Sequence, residues 1–270
     1  MSKLFLPFVN RFIDPKWIQT DPIQFPHRYH SKKDREVVGL ISALFAYGNV
    51  VAIHKHLESL LSILGDHPFE ELRSSNFKNS KSIMNKYRFQ TQEDIFIFLC
   101  RLQEIYQENE SIESFFVSDH LQKGILNFQR YFFSNIRERT NGLNFLIGKE
   151  QNHSGYKRWR MFLRWMVREE FPDLGLWKRI QPSQLEFPVD THIQKLSLIL
   201  GIRKRKTTDH KLSLEITDYF KKIFPSDPLI MDFPLTRLGI TKICKMKKVD
   251  SICSRCELRK VCKIYQGEVM

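Results

Sequence analysis

Apolar residues recur at three- and four-residue spacing through almost the whole of this chain, and that pattern excludes most sheet architectures. It runs through "SKKDREVVGLISALFAYGN", "AIHKHLESLLSILG", "TQEDIFIFLCRLQEIYQ", "SIESFFVSDHLQKGILNFQRYFFSNIRER", "YKRWRMFLRWMVREEF", "DTHIQKLSLILG" and "DHKLSLEITDYFKKIF". Such spacing gathers apolar side chains on one face of an α-helix, whereas a half-buried strand would alternate. No stretch alternates convincingly, and no internal repeat appears. With only 11 Gly and 11 Pro in 270 residues, long loops and many tight turns are not expected, and the fold class read from the pattern is all-α. Ser31 and Asp190 stand where N-caps belong. The pattern breaks at 148–155, 179–188 and 203–209.

Charge narrows the partner. The chain carries 43 Lys and Arg against 30 Asp and Glu, a net charge of +13. A surplus of this size favours a polyanion, because every phosphate that a cation neutralises releases counterions. Nucleic acid leads, and an anionic membrane surface comes second. The longest apolar run, "VVGLISALFAYGNVVAI", is too interrupted to span a bilayer. "MSKLFLPFVNRFIDPKW" lacks both an extended signal core and a small-residue cleavage site. The expected location is therefore the cytoplasm.

Four of the five cysteines lie within nineteen residues, as Cys244-x8-Cys253-x2-Cys256-x5-Cys262. The fifth, Cys100, sits alone in an apolar helical stretch and reads as a packing residue. In a reducing cytosol such a cluster is a metal site rather than a disulfide pair. Four thiolates suit one tetrahedral zinc or a [4Fe–4S] cluster. One close pair with two outlying ligands leans towards the cubane, because zinc ribbons usually pair two CxxC knuckles. Lys242, Lys245, Lys247, Lys248, Arg255, Arg259, Lys260 and Lys263 surround the ligands, which makes the loop a candidate for phosphate contact.

Two further stretches carry chemistry-bearing residues. In "SGYKRWRMFLRWMVREE" (154–170), Lys157, Arg160, Arg164 and Arg168 fall on one narrow helical face. Arg158 points into the apolar arc. In "FPVDTHIQKL" (187–196), Asp190 sits at the start of a helix. A carboxylate held there stays ionised and can face a developing cation, or it can simply cap.

These motifs together resemble the endonuclease III family of DNA glycosylases. "RLGITKICKMKKVDSICSRCELRKVCKIY" is similar to that family's C-terminal iron–sulfur loop, with a first interval of eight residues where six is usual. "VDTH" matches the motif whose Asp stabilises the oxocarbenium-like sugar, a role the resemblance passes to Asp190. Gly155-Tyr156-Lys157 resembles the end of the family's "GxGxKT", which makes Lys157 the expected nucleophile. The usual Pro-Gly-x-Gly hairpin is absent, and the interval from Lys157 to Asp190 is long. The chain thus looks like a divergent branch of the helix-hairpin-helix glycosylase superfamily. By the same likeness, Tyr47 or Asn49, in the turn Ala46-Tyr47-Gly48-Asn49, fills the space left by a flipped base, although an ordinary glycine turn reads equally well. "FPHRYHSKKDR" (25–35) lines a base pocket or phosphate track, or is a packed linker.

The resemblance implies two helical lobes with a DNA-binding cleft between them. One covers 31–180; the other combines 1–30 with 181–270 and ends in the [4Fe–4S] loop, 244–262. Lys157 and Asp190 face each other across the cleft. Arg160, Arg164, Lys247 and Lys248, with Tyr47 and Asn49, contact DNA. The implied activity is a repair glycosylase with abasic-site lyase chemistry, acting as a nucleoid-associated monomer on double-stranded DNA with a damaged base. The alternatives are a non-catalytic DNA- or RNA-binding protein with a structural metal site of four cysteines and a zinc-tailed nucleic-acid adaptor.

Overall fold

Ser31 starts the first long helix of the middle of the chain in the way its hydroxyl allows. Its Oγ accepts from the backbone N–H of Lys33 at 3.2 Å and Asp34 at 3.5 Å. The computed structural model describes residues 2–150, 155–203 and 207–268. Parts of two expected loops, 151–154 and 204–206, lie outside the described residues. Within them the longer helices are α1 (Ser2–Asn10), α2 (Lys32–Leu44), α3 (Val50–Leu64), α4 (Gln92–Glu108), α5 (Leu121–Phe133), α6 (Lys157–Val167), α7 (Thr191–Ile199), α8 (His210–Lys221) and α9 (Asp232–Ile240). The described residues contain no strand; Tyr87 and Gln90 form an isolated bridge. The all-α expectation is met.

The chain forms two compact units. One takes the described residues of Ile18–Asn152 and Trp165–Ile180, and the other those of Met1–Trp17, His153–Arg164 and Gln181–Met270. Residues 18–30 therefore group with the middle of the chain, where Phe25 is fully buried and Arg28 holds Glu58 at 2.7 Å. Residues 155–164 group with the C-terminal part, because Arg160 and Arg164 pair with carboxylates of 181–270.

In the middle unit, α2 buries Val37, Val38, Leu40, Ile41, Ala43 and Leu44 completely. Phe45, just past its end, meets Phe98 of α4 edge-on at 5.8 Å, and Phe98 meets Phe132 of α5 at 6.0 Å. Thr91 and Asp94 form a reciprocal capping box that starts α4. Among these apolar helices Glu36 is buried, 4% exposed. It accepts from Tyr106, Ser111, Ile112 and Trp177.

In the other unit, Phe220 of α8 is the hub. Phe5 of α1 packs edge-on to it at 6.0 Å and Phe187 stacks on it at 5.4 Å. Helices α7 and α9 approach closely at Gly239. A Cβ there would lie 2.7 Å from the Cβ of His192, so only glycine lets α9 pass the start of α7.

Candidate functional site

The first turn of α7 is built around Asp190. Its Oδ1 accepts from the backbone N–H of His192 at 2.9 Å and Ile193 at 2.8 Å, a complete N-cap. The other oxygen, Oδ2, stands 3.7 Å from Nζ of Lys157. Capping and ion pairing thus use separate oxygens, so the cap leaves Oδ2 available. Lys157 is the first residue of α6, reached through Tyr156, whose φ of 42° lies in the left-handed region. A bulky residue held there is a genuine strain point. Lys157 is 39% exposed and Asp190 13%, so solvent reaches the amine while the carboxylate is largely sheltered. The cleft-spanning arrangement expected for this pair is corrected: both residues belong to one unit and are in direct contact.

The rest of the cationic stripe is buried, against expectation. Arg160, Arg164 and Arg168 are 2%, 3% and 3% exposed. Arg160 pairs with Glu186, Arg164 with Asp232 and Arg168 with Asp173. A guanidinium taken out of water needs a carboxylate in good geometry, and each has one. Arg160 and Arg164 therefore cannot bind a DNA backbone from these positions. Arg158, expected in the apolar arc, is half-buried.

At the α2–α3 turn, Gly48 takes a φ of 107°, and Asn49 caps α3 by accepting from Ala52 N at 2.8 Å. Asn49 is exposed, but its side-chain oxygen is already engaged in that cap. The Tyr47 hydroxyl donates to Gln90. Its ring lies parallel to Phe89 at 6.2 Å and edge-on to Phe145 at 4.8 Å. Two residues that sequence reasoning missed complete this patch. Tyr87 and Gln90 exchange backbone hydrogen bonds of 2.9 and 2.8 Å, leaving Arg88 and Phe89 as a two-residue tip. Arg88 has a φ of 51° and Phe89 is 55% exposed. The guanidinium lies 5.9 Å from the Tyr47 ring and 5.5 Å from the Phe89 ring. The available signal was Tyr-Arg-Phe placed just before a capping box. In the stretch 25–35, Arg28 covers Phe25 at 4.4 Å, and His27 Nε2 is 2.7 Å from the Pro172 carbonyl.

The four clustered cysteines line one cavity of about 320 Å³, with Leu238, Ile252, Tyr265 and Arg11. All four are free thiols. Val249 N donates to Cys253 Sγ at 3.4 Å, and the amides of Met246 and Leu258 donate to Cys244 and Cys256. Burial pushes the Cys244 and Cys256 thiols up, and these amides pull them back. Backbone N–H groups aimed at sulfur favour the thiolate, the form that ligates metal. Among the described residues no three His, Cys, Asp or Glu side chains are grouped to hold a metal ion. Thiolates on one zinc crowd round bonds of about 2.3 Å, whereas those of a cubane each reach a different iron and stand farther apart. A cavity walled by four cysteines, three of them with amide donors, suits a metal group held by thiolates. Lys247 and Lys248 are exposed on this loop. Lys248 lies 3.9 Å from Asp250 and 5.9 Å from the Tyr265 ring.

Fold and site together define a basic, all-helical protein with a lysine–aspartate pair and a cysteine-walled cavity. No helix among the described residues is long and apolar enough to cross a membrane. The chain belongs to the family described as "Protein of unknown function (DUF2400)", whose model matches residues 21–241. It is also 36% identical, over 84 residues, to the Endonuclease III of Sulfolobus acidocaldarius. That match takes in 31% of this chain and spans 35%, about a third, of the relative's length. No solved structure matches.

Proposed function

We infer that this protein is a DNA repair glycosylase with abasic-site lyase activity, acting on double-stranded DNA that carries a damaged base. The observation that carries the reading is the Lys157–Asp190 pair: an amine at a helix start, 3.7 Å from a carboxylate oxygen left over from a cap. The partial similarity to an Endonuclease III supports it, as does the net charge of +13. The Lys157 ammonium first gives up its proton to water, which reaches the 39% exposed side chain, and Asp190 Oδ2 stays a carboxylate oxygen beside it. The amine then bonds to the sugar C1′ as the C1′–N bond to the base breaks, and the base leaves with that electron pair and takes up a proton. Asp190 faces the positive charge that develops on the sugar. The ring oxygen then leaves C1′ with the C1′–O4′ bond pair and takes up a proton, which gives a protonated Schiff base; loss of a C2′ proton to water lets the 3′ phosphate depart with its C3′–O bond pair. The Tyr47–Arg88–Phe89–Phe145 patch would meet unstacked bases, since every base offers a π-face.

Cys244, Cys253, Cys256 and Cys262 would hold the [4Fe–4S] cluster. When bound, it pins the loop that presents Lys247 and Lys248 and takes no part in the base chemistry. Anaerobic protein should absorb broadly near about 400 nm and contain iron; stoichiometric zinc without that absorbance supports the zinc-tailed adaptor. Borohydride trapping on duplexes carrying abasic sites or oxidised bases tests the activity. The wild type should yield a covalent adduct and Lys157→Ala should not. Equal trapping by both removes Lys157 as nucleophile, while DNA binding with no adduct at all supports a binding protein without chemistry.

A further inference from the structure

One buried side chain touches every segment that carries the pair. Arg160 lies one turn after Lys157, and its guanidinium reaches three places. It donates to the carbonyl of Gly155, two residues before Lys157. It donates twice to Glu186 Oε2, from Nε at 2.9 Å and again from Nη2, four residues before Asp190. Its Nη2 also lies 2.5 Å from Nδ1 of His210, the first residue of α8. The run from Glu186 to Asp190 is fixed to α8 as well, since Phe187 N donates to Thr217 Oγ1 at 2.9 Å and Ser213 Oγ to the Phe187 carbonyl at 2.6 Å. Such a node is not needed to hold α6 as a helix. It is what would hold a left-handed Tyr156 and the 186–190 run in register with each other.

We propose that Arg160, Glu186 and His210 form the positioning unit of the Lys157–Asp190 pair, and that a proton on His210 releases it. The proposal rests on the function inferred above and adds residues that do not touch the reacting atoms. Guanidinium has no acceptor, so His210 Nδ1 must accept and the imidazole must be the neutral Nε2–H tautomer. A proton on Nδ1 would set N–H against N–H and bring a second cation against Arg160. Burial and the Arg160 charge hold the His210 imidazole below its ordinary range, against the pull of Glu186 and Asp209. Among the described residues, those three and Tyr156 beside Arg160 are the titratable and charged groups that act on the node. The pair should therefore be in register at neutral pH and lose it as the medium turns acidic.

The test uses the full chain with two readouts. The first is turnover and borohydride trapping on an abasic-site duplex between about pH 5 and 8. Arg160→Lys keeps a charge but cannot make the three-way fork, and its kcat should fall by about tenfold to a hundredfold, with KM little changed. His210→Asn offers an acceptor that does not titrate, so the acid limb of its pH profile should flatten. The second readout needs no DNA: the rate at which an amine-acylating reagent labels Lys157, normalised to the exposed lysines by mass spectrometry. Arg160→Lys should label Lys157 several times faster than wild type. Wild type should label relatively faster as pH falls, and His210→Asn should not. Should the wild type show no DNA chemistry while the labelling pattern holds, the functional reading fails and the positioning unit stands. Equal Lys157 labelling in all three proteins across the pH range overturns the positioning unit, whatever the activity.

Discussion

Glu36 should be irreplaceable by its own amide, and the reason lies in which of its partners can turn. Its Oε1 accepts from Tyr106 OH at 3.2 Å and Ile112 N at 2.9 Å, and its Oε2 from Ser111 Oγ and Trp177 Nε1, both at 2.6 Å. The two hydroxyls can rotate to donate or accept, but the Ile112 and Trp177 N–H groups only donate. Each carboxylate oxygen faces one of those fixed donors. In Glu36→Gln one oxygen becomes NH2, and either flip sets it against a fixed N–H. Leaving one buried donor unsatisfied costs about 1–3 kcal/mol, and the remaining bonds lose their charge assistance. Easier burial of a neutral amide offsets part of this, so a net loss of about 2 kcal/mol is expected. Glu36→Ala takes the acceptor from both donors and opens a cavity, for about 4 kcal/mol. Urea unfolding should show a lower midpoint with an unchanged slope. A cycle with Trp177→Phe tests the geometry, because without the Nε1–H the amide can face that side. The double variant should recover about 1 kcal/mol or more relative to additivity. A cost for Glu36→Gln under about 0.5 kcal/mol, or a cycle that closes to zero, would refute the fixed-donor argument.

The remaining expectations follow from single side chains. His56 stacks on Tyr87 at 4.2 Å, and burial pushes its imidazole down to about 4 from 6.5. The unfolded chain then binds the extra proton between those values, so stability should fall as pH drops through that window, by up to about 3 kcal/mol. His56→Phe should flatten the profile in urea titrations at stepped pH. Gly239→Ala would place its Cβ 2.7 Å from His192 Cβ; it should cost about 1–3 kcal/mol and lower borohydride trapping by displacing the start of α7. Phe89→Ala, at a residue 55% exposed, should leave the melting temperature nearly unchanged while weakening binding to an abasic-site duplex by about 1–3 kcal/mol; unchanged affinity removes the tip from the interface. Lys247→Ala with Lys248→Ala should reduce the salt slope of DNA binding by about 1 for each phosphate left unneutralised, measured by fluorescence anisotropy at several salt concentrations.

What the sequence made legible was local. The Ser31 and Asp190 caps need only the residues within one turn, and both form as expected. Helical periodicity shows which residues share a face, but not whether that face meets water or protein. The stripe Lys157, Arg160, Arg164 and Arg168 shows this limit. Its last three members are buried by Glu186, Asp232 and Asp173, and two of those acids come from distant turns of the chain. No property of the helix itself names them. The Arg88–Phe89 tip escaped for a different reason: it depends on a two-residue reversal with an arginine at positive φ, where sequence would lead one to look for glycine.

Burying those arginines does not weaken the case for a polyanionic partner; it relocates it. Each buried pair is neutral, so the three cancel and leave the net charge of +13 to the remaining side chains. From Lys242 to Glu268 the chain carries eight cationic side chains against three acidic ones. Lys245, Lys247 and Lys248 there are exposed around the cysteine-walled cavity. A cationic loop has every electrostatic reason to spread, and the metal group proposed above, held by four thiolates, would keep it folded. Charge and chemistry are therefore divided along the sequence. On the reading proposed above, Arg160 shapes the lysine–aspartate pair from within, while the exposed C-terminal lysines remain available to phosphate.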